Sequence, residues 1–134
     1  PSATPTTVTG CESVTADPIS RPGTTPTMSM TINNPNSYPL TVKDIRVTWN
    51  ATTGGPGNTP LILQSITLPD QLWTIKDATG DFTITPSEPV IMPASATSII
   101  TFTFDQNYEN ANGNESITVT LSTPGCENVV LRRP

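Results

Sequence analysis

The stretch ATSIITFTF at residues 96–104 decides the fold class of this chain. Ile100, Phe102 and Phe104 alternate with small polar residues, which is the two-residue period of a β-strand with one buried face. The stretch TMSMTIN at residues 27–33 alternates in the same way. Both stretches are therefore predicted to be strands that face a hydrophobic core on one side and water on the other.

Strand-length runs of apolar and β-branched residues recur at a steady pitch along the rest of the chain. They lie at residues 12–20, 40–50, 61–69, 71–77, 81–86, 116–122 and 126–133. Turn-forming residues separate them, and no window keeps the 3.6-residue period of a helix over ten or more residues. The sequence therefore predicts an all-β fold, an antiparallel β-sandwich of about seven to nine strands.

The run at residues 40–50 contains one irregularity. Its apolar residues change parity between Val42 and Ile45. A strand whose buried side switches in this way needs one extra residue to keep its face toward the core. A β-bulge near Lys43 and Asp44 is therefore predicted.

The size and charge of the chain limit its domain number and its partners. With 134 residues, it is predicted to form one domain around one core. Six basic residues stand against 11 acidic residues, a formal net charge of −5, whereas nucleic acids and anionic membranes bind basic surfaces. No run approaches the roughly 18 apolar residues of a membrane span. We expect no nucleic-acid partner and no membrane span in this chain.

Two similar six-residue segments near the ends of the chain, GCESVT and GCENVV, contain its two cysteines, Cys11 and Cys126. A disulfide between them would tie the first strand to the last and close almost the whole chain into one loop. The chain-entropy model gives such a loop roughly 4–5 kcal/mol of stabilisation. Disulfides persist in oxidising compartments, so the protein is predicted to be secreted or displayed on a cell surface. The alternative is a pair of unpaired buried cysteines.

The first ten residues, PSATPTTVTG, differ in composition from the rest of the chain. They are rich in Pro and Thr and contain one large apolar residue, Val8. Residues 1–10 are therefore predicted to be an extended arm or linker, and residues 11–134 a single β-sandwich domain. The alternative is a donor strand that pairs with the sheet edge of a neighbouring subunit, which β-branched threonines would tolerate.

The sequence carries no constellation of residues typical of an enzyme. It contains no histidine, which removes the commonest general base and the usual zinc ligand sets. The glycines of GGPG at residues 54–57 lie between predicted strands and lack the lysine and the helix of a phosphate-binding loop. We expect no enzymatic activity and no cofactor.

One polar segment, residues 105–115, offers oxygen ligands for a cation. The calcium candidates on this segment are Asp105, Asn107 and Glu109. The spacing departs from the helical calcium loop, in which glycine occupies the sixth position, where Asn110 stands here. The alternative is a solvated hairpin tip, which explains the same residues, and no metal is assigned.

Two sequons offer attachment points for sugar. Asn50 begins Asn-Ala-Thr, and Asn114 begins Asn-Glu-Ser. Both asparagines are therefore candidate N-glycosylation sites.

The two tryptophans are candidates for a carbohydrate platform, which would need exposed aromatic rings in a row. Trp49 continues the buried parity of Val47, so core packing is predicted for it. Trp73 follows Leu72 in a predicted strand, and its orientation is left open.

A series of residues between Gly10 and Leu131 resembles the sequence motifs of a known class of protein modules. They are Cys11; Thr31, Asn34 and Asn36; Val47 and Trp49; Leu68, Trp73 and Ile75; Pro93, Thr97, Phe102 and Phe104; and Ile117, Val119, Gly125 and Cys126. In this order they resemble a class of prokaryotic surface and pilus-associated modules. That class has a Cys-bearing first strand, a T-x-x-N-x-N turn, a strand that ends in Trp, an F-x-F strand and a closing Gly-Cys.

The resemblance implies an immunoglobulin-like antiparallel β-sandwich with a structural role outside the cell. The expected function is that of a subunit or module of a cell-surface filament or pilus. The usual pilin has a long apolar N-terminal helix, which is not present in this sequence. Self-association is therefore expected through sheet edges and through strand donation by residues 1–10. The alternative is an adhesin or carbohydrate-binding module of a larger surface protein.

Overall fold

The computed structural model describes residues 11–68, 71–127 and 129–134. The predicted arm or linker at residues 1–10 lies outside the described residues. One turn of 3-10 helix, Cys11–Ser13, precedes ten strands in these ranges. The strands are β1 (Thr15–Ala16), β2 (Thr27–Asn34), β3 (Leu40–Thr48), β4 (Leu63–Leu68), β5 (Gln71–Asp77), β6 (Asp81–Ile84), β7 (Val90–Met92), β8 (Ala96–Phe104), β9 (Ser116–Leu121) and β10 (Val130–Arg133). None of the helices in the described ranges is long and apolar enough to cross a membrane.

The strands form two antiparallel sheets of five strands each. The first sheet has the order β1-β2-β8-β4-β5. The second sheet has the order β10-β9-β3-β6, and β7 also pairs with β3. This arrangement confirms the predicted all-β antiparallel sandwich. The ten strands include the very short β1 and β7, of two and three residues, which brings the number above the expected seven to nine.

The order of neighbours in each sheet is that of an immunoglobulin-like sandwich. In the usual notation, β1, β2, β8 and β4 occupy the places of strands A, B, E and D, while β10, β9 and β3 occupy those of G, F and C. The segments at residues 35–39 and 105–115 do not close hairpins, so the alternative of a hairpin tip for residues 105–115 is wrong. Each segment crosses from one sheet to the other. Alternation in the sequence identifies the buried face of a strand, but it does not identify the neighbouring strand in the sheet.

Strand β8 lies inside the first sheet and supplies much of the core. Its three large alternating residues are buried, as the sequence predicts. Phe102 is opposite Met28 of β2 and Ile66 of β4. These side chains share one hydrophobic core with Val47 and Val119 of the second sheet. Burial of each such side chain contributes about 1.5–3 kcal/mol, so the alternation drives the two sheets together.

The predicted bulge lies in β3. The pairing of β3 with β9 shifts register between Val42 and Asp44. The extra residue returns Ile45 to the buried side that Val42 also occupies. The sequence prediction is confirmed, and the strand keeps one continuous apolar face toward the core.

Cys11 and Cys126 form a disulfide, with Cα atoms 5.6 Å apart. The alternative of two unpaired cysteines is therefore wrong. Neither cysteine lies within a strand, contrary to the prediction. Cys11 belongs to the 3-10 turn before β1, and Cys126 lies in the loop between β9 and β10. Each segment leads directly into a terminal strand, so the bond still holds both ends of the sandwich together.

Removal of the disulfide should destabilise the domain strongly. The double substitution Cys11→Ser with Cys126→Ser is expected to lower the free energy of unfolding by about 4 kcal/mol, because the unfolded chain regains the freedom that the crosslink removes. The bridged residues are 115 positions apart, so this loop is long. Urea denaturation followed by tryptophan fluorescence measures the change. A loss smaller than about 1 kcal/mol would contradict the expected role of the crosslink.

Candidate functional site

Two loops meet at one end of the sandwich, residues 50–62 and residues 105–115, and we call them the loop pair. The backbone amides of Glu109 and Asn110 both donate to the carbonyl oxygen of Gly54, at 2.9 and 3.0 Å. Main-chain hydrogen bonds of this kind anchor the glycine-rich loop to its neighbour. The loop pair therefore has a defined shape despite its polar composition.

Gly54 is a point of close approach within the loop pair. A Cβ atom at this position would lie 2.4 Å from the carbonyl oxygen of Asn50 and 2.6 Å from Cδ1 of Leu61. Both distances are far shorter than van der Waals contact. Only glycine allows the loop to pass this closely over the preceding turn.

Tyr108 lies in the middle of the polar segment and is fully buried. Its ring meets that of Phe104 edge-on, with centroids 5.2 Å apart. The guanidinium of Arg21 lies 5.3 Å from the ring centre and donates to the carbonyl oxygen of Tyr108 at 2.8 Å. Periodicity in the sequence did not identify Tyr108 as a core residue. The available signal was a lone aromatic side chain among polar and small neighbours.

The hydroxyl of Tyr108 joins the two loops. It donates to Oε2 of Glu115 at 2.6 Å and accepts the backbone amide of Asn50 at 2.7 Å. Burial raises the pKa of Tyr108, so the hydroxyl stays protonated. Burial also acts to raise the pKa of Glu115, but hydrogen bonds from Tyr108 and from the amides of Asn112 and Gly113 outweigh it and hold this pKa below its ordinary value. The carboxylate is therefore ionised at neutral pH and well satisfied.

The calcium candidates lie on the same loop pair. Asp105 and Glu109 are exposed, and Asn107 is half-buried. Oδ1 of Asp105 accepts the backbone amide of Ile62 at 2.9 Å. Across the described ranges, no group of three or more His, Cys, Asp or Glu side chains is arranged to hold a metal ion. The cation hypothesis therefore rests on the sequence pattern alone.

The two sequons lie in opposite environments. Asn50 is 2% exposed, and its side-chain nitrogen donates to Oγ1 of Thr53 and to the carbonyl oxygen of Asn110. An N-linked sugar would be attached to this nitrogen, so the folded loop pair does not present Asn50 as an acceptor. Asn114 is exposed, and the fold leaves this sequon accessible.

The two tryptophans also differ. Trp49 is buried, and its Nε1 donates to the carbonyl oxygen of Leu61 at 3.1 Å, which confirms the prediction of core packing. Trp73 lies on β5 and is half-buried against the border of the core. Of the two rings, Trp73 is the one with a part in contact with solvent.

Strand β5 forms an exposed edge of the first sheet. Within the described residues it pairs only with β4. Its first five residues, QLWTI, carry no charge, and Leu72 is 64% exposed. An edge strand presents unpaired N–H and C=O groups that can pair with another chain.

A groove of about 470 Å³ lies over β4 and β5, lined by Gln64 and Ser65 of β4 and by residues of β5. Its lining combines apolar side chains of Leu72 and Ile75 with the charged Lys76 and Asp105. Strand addition uses such grooves for alternate side chains of the incoming strand. The edge of β5 together with this groove is therefore the candidate functional site.

Comparison with protein-family models, with curated proteins and with solved structures found no match for this chain. The resemblance to prokaryotic surface and pilus-associated modules therefore stays a prediction.

The free energy of unfolding should fall as the pH drops below the ordinary range of glutamate. Because the folded pKa of Glu115 lies below its unfolded value, its stabilisation is complete above about pH 5 and is lost as the pH falls through the folded pKa. The substitution Glu115→Gln should lower stability at neutral pH and flatten this acid decline. Urea denaturation between about pH 7 and pH 3 measures both effects.

Glu109→Gln is the matched control for this prediction, since Glu109 is exposed on the same loop. It should change stability little at any pH. If the two substitutions had equal effects throughout, the hydrogen bonds to Glu115 would not have the assigned role.

Proposed function

We propose that this chain is a structural module of an extracellular filament, assembled by addition of a strand from one subunit to β5 of the next. The observation that carries the proposal is that the first five residues of β5 are uncharged and that β5, within the described residues, pairs only with β4. A strand added there would form main-chain hydrogen bonds along as many as seven residues. Leu72 and the adjoining groove offer contacts to its side chains.

The other described edges suit strand addition less well. β1 contains two residues and β7 three, while β6 and β10 contain four residues each. β6 begins with Asp81, and β10 ends with Arg132 and Arg133, whose charges disfavour pairing with another chain. β5 carries charge only at Lys76 and Asp77, its last two residues. The proposed contact is therefore at the first five residues of β5.

The donor that we propose is the segment at residues 6–9 of a neighbouring copy. Its sequence, Thr-Thr-Val-Thr, is β-branched throughout and contains no proline. It precedes Cys11 and β1, which lies at the edge of the first sheet opposite β5. Four strand spacings, about 19 Å, separate these two edges. A repeated contact between unlike surfaces builds an open filament unless its rotation closes a ring.

The extracellular part of the proposal rests on the disulfide, because such bonds persist in oxidising compartments. The bond also joins the segments that lead into the first and last strands. A module pulled through its ends would load these segments, and the covalent bond would keep the strands from separating. The proposed role is mechanical and not catalytic.

A carbohydrate-binding or adhesive module is the second candidate. Trp73 is half-buried in β5, and aromatic rings with an exposed part can stack on sugars. Binding on a glycan array that the substitution Trp73→Ala abolishes would favour this function over the filament.

A charge on the β5 edge should block assembly. Leu72→Lys is expected to raise the protein concentration for half-maximal assembly by at least about tenfold, because lysine on an edge strand opposes pairing. Ile99→Lys is the matched control. Ile99 is 50% exposed on the same face of the first sheet but lies in β8, between two paired strands. Light scattering measures assembly, and electron microscopy shows whether the assemblies are filaments.

The donor is tested with a chain that lacks residues 1–9. This variant should stay monomeric and should bind a synthetic peptide of residues 1–10. A full chain that is strictly monomeric at high concentration would contradict the proposal, and so would equal loss of assembly in the two lysine variants.

A further inference from the structure

The outer face of the second sheet carries a groove of about 510 Å³ that the proposed filament contact does not use. Its lining includes Arg46, Thr48, Ser116, Thr118 and Arg132. The chain has six basic residues and a net charge of −5. Two of those six residues, Arg46 and Arg132, line this one groove together with one acidic residue, Glu115.

Strand pairing places the two arginines in one row. Arg46 of β3 is opposite Thr118 of β9, and Thr118 is opposite Arg132 of β10. Residues directly opposite each other project from the same face of a sheet. Two strand spacings, about 10 Å, therefore separate the Cα atoms of the arginines. We call these three residues the arginine row.

The two arginines differ in their partners. Arg46 donates from Nε and Nη2 to the two carboxylate oxygens of Asp81, at 3.0 and 2.6 Å. Arg132 is exposed, and in the described part of the chain no hydrogen bond or ion pair engages its guanidinium. Glu115 also lines the groove, but Tyr108 and the loop amides occupy its carboxylate. The positive charge of Arg132 is therefore available to an anion.

Hydroxyl groups surround the arginine row. The hydroxyl oxygens of Thr48 and Ser116 are 2.6 Å apart, and Thr48 donates to the carbonyl oxygen of Asn114. Each hydroxyl keeps acceptor capacity for a donor on a ligand. Thr118 lies between the arginines and adds a third hydroxyl. The groove thus offers a guanidinium for an acid and several hydroxyls for polar groups beside it.

We propose that the arginine row binds an acidic polysaccharide through the carboxylates of its uronic acid units. A guanidinium holds a carboxylate through two parallel hydrogen bonds, and the hydroxyls around the row suit sugar hydroxyls. Arg132 would take the carboxylate of one uronic acid unit, because Asp81 already occupies Arg46. The hydroxyl-rich lining favours a sugar over an acidic peptide. This site is independent of the β5 edge, because it lies on the other sheet.

Titration of the isotope-labelled full chain with a galacturonic acid hexamer, followed by nuclear magnetic resonance, tests the proposal. The Leu72→Lys variant is titrated in parallel at a concentration below that at which it assembles, so that assembly does not affect the result. Amide shifts should be confined to β3, β9 and β10 near the row. Arg132→Gln should weaken binding by about tenfold or more. Arg132→Lys should weaken binding less, because lysine keeps the positive charge, although it cannot form the two parallel hydrogen bonds of a guanidinium.

Lys43→Gln is the matched control, since it removes one exposed positive charge from β3 outside the groove. It should leave the affinity unchanged. Equal weakening by Lys43→Gln and Arg132→Gln would overturn the site, as would shifts centred on β5. A neutral maltose hexamer should not bind. A glutamate hexapeptide that binds as tightly as the uronate would overturn the sugar assignment.

Discussion

The alternation of buried and exposed residues in β8 is the constraint on which the rest of the structure depends. β8 lies between β2 and β4, so its register sets both neighbours and leaves β5 at the edge. Its last residue, Phe104, packs against Trp49 at 5.7 Å and Tyr108 at 5.2 Å between ring centroids. One strand therefore organises the first sheet, the core and the loop pair at its end.

Local periodicity predicted the strands, their buried faces and the bulge of β3, because each of these depends on neighbours in the sequence. It could not predict sheet membership. β8 and β9 are consecutive in sequence but lie in different sheets, so the segment between them crosses the core edge and is not a hairpin. Tyr108 is buried for this reason, although its neighbours in sequence are polar. Asn50 is buried because the loop pair closes over it. The sequon itself does not indicate whether its asparagine is buried or exposed.

The candidate sites depend on this long-range arrangement. The sequence QLWTIKD predicted a strand, but only the strand order makes β5 an edge. Arg46 and Arg132 are distant in sequence, and they share a groove because both pair with Thr118. In contrast, Asp105 and Glu109 are close in sequence, yet their loop is shaped by hydrogen bonds to residues 50–62.

Assembly through β5 is the central claim, and amide hydrogen exchange in monomeric and assembled protein tests it most directly. In the monomer, amides of β5 that point away from β4 should exchange quickly, whereas those of β8 should exchange slowly because strands flank it on both sides. On assembly, new protection should appear in β5 and in residues 1–10. Protection that appears at β6 or β10 instead, or assembly without new protection in β5, would contradict the account.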